Sequence, residues 1–211
     1  MTNWKTYTRS TFCHAISKQW PDTTPTARWK KNEATMIRSF NGKTPRVASS
    51  AFISEAAYVV GDVVIGENVS VWPGAVIRGD SGSISIGAKS IIEDGCIIHS
   101  GSPTTPGLLA DVTIGENVQI GHGAVLNCIS IGSNTLIGMN ATILHDVRIG
   151  NYCVIAAGAV VNQGMKIPDR SFVAGVPARI KGEVTEDQLW WVSEGSAFYR
   201  KLTQQYREEG L

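Results

Sequence analysis

From Val60 onward the apolar residues recur in blocks of six. Ile-Gly or Val-Gly pairs begin at Val60, Ile65, Ile86, Ile114, Ile120, Ile131, Ile137 and Ile149. Pairs at 114 and 120, and at 131 and 137, are six apart, while those at 114 and 131, 120 and 137, and 131 and 149 are 17 or 18 apart. Three hexamers therefore make one triangular coil, and self-similarity at a fixed period marks a repeat architecture. Each hexamer supplies a short strand, an inward aliphatic side chain and a corner where Gly, Asn or Asp tolerates the turn. One coil cannot bury its own apolar face, so stacking must stabilise the set. The run from Val112 to Val161 holds this pattern throughout. Its regular period predicts an all-β protein, a single-stranded left-handed parallel β-helix shaped as a triangular prism, rather than the longer and less regular coils of a right-handed one.

The pattern also sets the boundaries. MIRSFNGKTPRVASSAFI (36–53) reads as a short strand and turn entering the first coil, and IPDRSFVAGVPARIKG (167–182) closes the prism, with Pro168 and Pro177 ending the regularity. Residues 36–182 are thus expected to form the β-helix domain and 183–211 a helix. Thr185 is its N-cap candidate, acids follow in the first turn, and Leu189, Val192, Phe198 and Leu202 offer an apolar stripe. Gly195 marks an expected break, and the helix should lie against the prism or a neighbouring subunit.

Residues 1–35 have a different character, with ten Ser/Thr, six basic residues, three tryptophans and no acid before Asp22. Such an acid-poor segment suits a targeting sequence. Trp4, Phe12, Trp20 and Trp29 suit the anchors of a docking arm. A loosely ordered tail is a third reading, weakened by that aromatic content.

Composition narrows the function classes. The net charge is +1 and 18% of residues are charged, so no global basic field points to nucleic acid or a membrane surface. Residues 1–35 carry +4, which leaves the body at −3. No apolar run approaches the ~18 residues of a membrane span, and the N-terminus lacks the ~7–15-residue apolar stretch of a secretory signal. Cys13, Cys96, Cys128 and Cys153 show no C-x-x-C spacing, and the last three sit among apolar residues where a free thiol packs as a small hydrophobe. A soluble protein of a reducing intracellular compartment is the expectation.

Within the repeats, IGHGAVLNC (120–128) places His122 at a corner after Gly121, with Asn127 five residues on. His99 ends a strand after IIEDG, and His145 lies in ATILHD. Zinc needs about three protein donors at ~2.0–2.1 Å and, for catalysis, an open position for water. In VWPGAVIRGDSGSISIG, Arg78 and Asp80 are two apart and point the same way on a strand, either as a solvated ion pair or as a pair that spans subunits and orients a site. Glu93 or Asp94 could accept a proton or hydrogen-bond a metal-bound water.

Taken in order, VWPGAVIRGD, IGAKSIIEDGCIIHS, VTIGENVQIGHGAVLNC, IGMNATILHDVRIG, IAAGAVV and GVPARI resemble the γ-class carbonic anhydrase family, from about Met36 to Tyr199. The resemblance implies a trimer with zinc sites between subunits, two histidines coming from one chain and a third from its neighbour. It implies His99 as a ligand, His122 as the ligand lent across the interface, and Arg78 and Asp80 as subunit-pairing residues. Asp94 matches a family aspartate, Glu93 stands where glutamine is usual, and Tyr199 resembles a terminal-helix tyrosine near the site. The remaining ligand position is Asn127.

An amide oxygen is a poor substitute for imidazole at zinc. The expected function is therefore that of a structural or catalytically impaired trimer subunit, its zinc lost or shared with a neighbouring subunit. A heterotrimer such as that of mitochondrial respiratory complex I is implied by the same resemblance, with the mitochondrial matrix as location and the cytoplasm as the alternative. The alternatives are an active zinc enzyme hydrating CO2 to bicarbonate, with Asn127 or His145 completing the metal shell, and a hexapeptide-repeat acyltransferase.

Overall fold

The computed structural model describes residues 36–101 and 110–211. Its strands are nearly all parallel and fall into three stacks, the faces of a solenoid of about seven turns. The first stack runs through Tyr58–Ile65, Val76–Ile86, Ile97–His99, Val125–Leu126, Thr142–Ile143 and Val160–Val161. The second takes the far halves of the two long strands and continues through Val112–Ile114, Ser130–Ile131, Arg148–Ile149 and Lys166–Ile167. The third contains Phe52–Ile53, Ser70–Val71, Ile91–Ile92, Gln119–Ile120, Leu136–Ile137, Val154–Ile155 and Ser171–Gly175. Antiparallel pairing of Ser171–Gly175 with Ala178–Glu183 closes the end of the prism.

The hexamer explains this arrangement directly. From Ser70 onward the second residue of each two-residue strand points inward, and the same alternation in the longer strands stacks Ile77, Ile98, Leu126, Ile143 and Val161 in one buried column. Val71, Ile92, Ile120, Ile137, Ile155 and Val173 form the column on the third face. The corners meet the backbone demand expected of them: Asn68, Asn117, Asn134 and Asn140 adopt positive φ, a conformation Asn tolerates better than most residues. Asn117 donates to Asn134 through Nδ2 at 2.9 Å, linking successive corners. Cys96, Cys128 and Cys153 are free and buried, as read from their apolar surroundings. Cys13 and the extension 1–35 lie outside the described residues.

The terminal helix, Glu186–Glu209, begins at Thr185 with a capping box in which Thr185 accepts from the Gln188 backbone and Gln188 reaches back. The expected break at Gly195 does not occur. Gly195 instead lets the helix approach the third face: a Cβ there would lie 2.4 Å from Gln119 Oε1. The stripe is also shifted. Val192 is buried, but Phe198 is exposed, and Tyr199, Leu202 and Tyr206 pack on Phe52, Trp72 and Ile91. Phe52 and Ile91 are outward-facing, and the helix is what buries them. Among the described residues no helix is long and apolar enough to cross a membrane.

Candidate functional site

The candidate residues form two clusters at opposite edges of the first face. At the end of Ile97–His99, strand register sets Arg78 beside His99. His99 Nε2 lies 2.9 Å from Arg78 Nη2 and 3.0 Å from Asp80 Oδ1, and Arg78 Nε is 3.3 Å from Asp80 Oδ2. Burial works to raise the Asp80 carboxyl, but the His99 hydrogen bond and the Arg78 charge outweigh it and hold the group below the ordinary aspartate range. Arg78 and Asp80 thus pair within one chain, whatever they do across an interface.

Pairing of Ile97 with Val125 and of Ile98 with Leu126 puts Asn127 in register with His99, one coil on. The Asn127 carbonyl oxygen Oδ1 is buried and has no hydrogen-bond partner. In the following coil Leu126 pairs with Ile143, so Leu144 continues the column of His99 and Asn127. His145 lies one residue further on, in the turn, where its backbone oxygen accepts from Gly164. Leu126 and Ile143 are 17 residues apart, whereas Ile143 and Val161 are 18 apart, so this coil is one residue short and Leu144, not His145, stands in the ligand column.

The second cluster occupies the corner that precedes the first face. Asp94 and His122 stand at successive corners, locked by the bond from Gly123 N to Asp94 O at 2.9 Å. Positive φ at Gly95 and Gly123 forms these turns. His122 Nδ1 lies 2.9 Å from Asp94 Oδ2, and its Nε2 lies 3.1 Å from Glu93 Oε2. Glu93 is 2% exposed, a setting a carboxylate tolerates only when hydrogen-bonded. It accepts from Gln119 Nε2 at 2.7 Å and from the His122 backbone N–H at 3.0 Å, and the Tyr199 hydroxyl bonds to it as well. Burial, then the Glu93 charge and that bond, push the Tyr199 hydroxyl far above its usual value. Tyr199 donates here as a neutral phenol.

Two participants escaped sequence reasoning. Gln119 aligns in register with Ile91 and Leu136, so a long polar side chain between two aliphatic neighbours was the available signal. Trp72 meets Tyr199 edge-to-face, with ring centroids 5.3 Å apart and an interplanar angle of 66°, and helps hold the tyrosine in place.

The sequence profile of the family described as "Bacterial transferase hexapeptide (six repeats)" matches residues 44–79 and 129–163. The chain is 36% identical over 175 residues to "Gamma carbonic anhydrase 1, mitochondrial" of Arabidopsis thaliana, covering 83% of this chain and 63% of that protein. It is 37% identical over 164 residues to "Carnitine operon protein CaiE" of Escherichia coli, covering 78% of this chain and 81% of the relative. The chain belongs to the γ-carbonic-anhydrase-like hexapeptide-repeat family. It spans less than two thirds of the length of the plant relative. A crystal structure of a hexapeptide transferase family protein from Anaplasma phagocytophilum shares the fold, with a TM-score of 0.75, 31% identity, and coverage of 82% of this chain and 98% of that one.

Zinc is the metal this family implies, and the donor set does not fit it within one chain. Asn127 lies five positions after His122, roughly 10–15 Å of mostly extended chain, whereas zinc ligands converge at about 2 Å from the metal. Among the described residues no group of three or more His, Cys, Asp or Glu side chains is arranged to hold a metal. Adding one edge from a second γ-carbonic-anhydrase-like chain would supply two imidazoles and an amide, one imidazole short of a site built from three histidines.

Proposed function

We propose that the protein is a structural subunit of a γ-carbonic-anhydrase-like trimer, impaired in zinc-dependent hydration of CO2 and assembled with complete homologues in a heterotrimer such as that of mitochondrial respiratory complex I. The observation that carries this reading is the alignment of His99 with Asn127 in adjacent coils. The edge that should offer two imidazoles offers one imidazole and an amide. His122 sits at the other edge and is about half exposed. It is available to a neighbour's site once the contacts to Glu93 and Asp94 are exchanged. That the plant relative is a mitochondrial γ-carbonic anhydrase supports the mitochondrial setting.

An active enzyme would need a third strong donor, and Leu144 and the turn position of His145 argue against rescue from the next coil. Glu93 reinforces the reading, because a buried carboxylate bonded to Gln119, His122 and Tyr199 binds the ring that would otherwise reach a metal.

The test is metal analysis, native mass spectrometry and stopped-flow CO2 hydration on the purified full chain, alone and with homologues. Zinc well below one per chain and hydration on the order of 100-fold or more below a complete site are expected, since metal-ligand environments are worth that much. Asn127→His should raise zinc content in the lone protein. One zinc per chain with fast hydration from the unaltered chain overturns the proposal. Acetyl transfer from acetyl-coenzyme A would favour the acyltransferase alternative.

A further inference from the structure

A second site lies under the terminal helix, away from both histidine clusters. Arg200, Thr203, Gln204 and Arg207 are spaced i, i+3, i+4 and i+7, so they share one helix face, and with Lys89 and Ser50 they line a cleft of about 290 Å³ against the first coils. No carboxylate lines it. Lys89 and Arg200 also line an adjoining groove of about 370 Å³, whose lining includes Glu116.

The charges of this cleft are uncompensated. Among the described residues none of the three cations is ion-paired. Arg207 donates to the backbone oxygens of Ser50 and Ala51 at 2.8 and 2.9 Å, and Arg200 donates to Ser196 Oγ, so both are held in place by neutral acceptors. Two acids lie beside the cleft without lining it: Glu67 is occupied by Ser50 Oγ, and Glu208 accepts from Gln204 Nε2 at 2.9 Å. Thr203 Oγ1 is buried without a partner, an arrangement that costs free energy unless a ligand supplies one. The lining is thus rich in donors, positively charged and short of acceptors.

We propose that this cleft binds a small molecule carrying two linked phosphate groups, a diphosphate or bisphosphate ester. The length of the cleft calls for two phosphates. Arg200 and Arg207 are seven residues apart, about 10 Å along a helix, which one phosphate does not span. A diphosphate offers acceptor oxygens to both ends and to Lys89 and Thr203 between them, and charge-assisted bonds to phosphate are the strong ones. The 290 Å³ volume suits the head of such a ligand, with the adjoining groove taking its organic part.

Isothermal titration of the full chain with pyrophosphate, inorganic phosphate and citrate tests this. Pyrophosphate should bind one per chain, on the order of tenfold more tightly than either of the others, and more weakly as salt rises. Lys89→Asn and Arg200→Gln should each weaken it by on the order of tenfold, the loss of one charged contact. Lys89 has a φ of 62°, which Asn accepts, so that variant keeps the corner. Lys166→Gln, in the second stack, should change nothing. Absence of saturable pyrophosphate binding, equal binding of citrate, or equal weakening by Lys166→Gln overturns the proposal. So does unchanged affinity in a folded Lys89→Asn protein.

Discussion

Cys96 sits in an interior column otherwise made of Ala75, Ala124, Ala141 and Ala159, all buried. Its Sγ donates to the Gly121 oxygen at 3.2 Å, and burial pushes its thiol, like that of Cys128, up to about 12 from 9.0. The sign of the pH effect follows. Below pH 9 the thiols are protonated in both states and contribute nothing. Between about 9 and 12 the unfolded chain has lost protons that the folded chain retains, so stability falls as pH rises, by up to about 1.4 kcal/mol per thiol per pH unit. Cys96→Ala, which installs the residue of the neighbouring coils, should flatten that alkaline limb in denaturant melts at pH 8 and 10.5. In a Cys13→Ser background the folded protein should also resist alkylation at pH 8, while the denatured protein reacts at every remaining thiol. Prompt labelling of the native form would contradict the buried placement. Asn127 belongs to the same scale: its identity was readable in the sequence, whereas its unpartnered oxygen and its alignment with His99 depend on strand register.

The terminal helix shows where an element-level reading succeeds and where it stops. Capping at Thr185 was legible because it depends on neighbours three residues apart. The role of Gly195 was not, because a glycine in a helical pattern signals either a break or a close approach, and only the opposing Gln119 decides between them. Phe198 was misplaced for a related reason: the buried face is set by the pocket of Phe52, Trp72 and Ile91, which belongs to distant coils. The solenoid itself was legible because every hexamer repeats the same local rule, and an error of phase arises where a coil loses a residue, as in the 17-residue coil from Leu126 to Ile143 that puts Leu144 where His145 would otherwise stand. Gly195→Ala measures the close approach. Helix propensity alone would stabilise by about 1 kcal/mol. Displacing Gln119 forfeits its bond to the buried Glu93 carboxylate, worth about 1.5–3 kcal/mol for a charged partner. The variant should therefore be destabilised by about 1 kcal/mol in chemical denaturation. A stabilised variant would mean that Gln119 moves aside without cost.

At the scale of the molecule the first face is unlike the other two. The third is covered by the helix. The first presents Val76, Ile97, Val125, Thr142 and Val160 outward in one row, with Ile97 41% and Val125 38% exposed. The row lies directly beside the column of Arg78, His99 and Asn127, so apolar surface and candidate ligands share a face. Contiguous exposed apolar surface rimmed by polar groups marks an interface, and in the proposed trimer the separation of His122 from Asn127 calls for a second chain at the site. Both requirements are met if this face is where subunits join. Val125→Lys places a charge in the row without touching the interior, because only the alternate residue Leu126 is buried. It should convert the proposed trimer to monomers in size-exclusion chromatography with light scattering, with the circular dichroism of the solenoid unchanged. Charge at an interface centre costs several kcal/mol when unpaired, which is enough to move a micromolar association out of reach. Thr113→Lys on the second face, outward between the buried Val112 and Ile114, should leave assembly intact. If both variants stay trimeric, the subunits join through another face and the edge carrying His99 and Asn127 has no neighbour to borrow from.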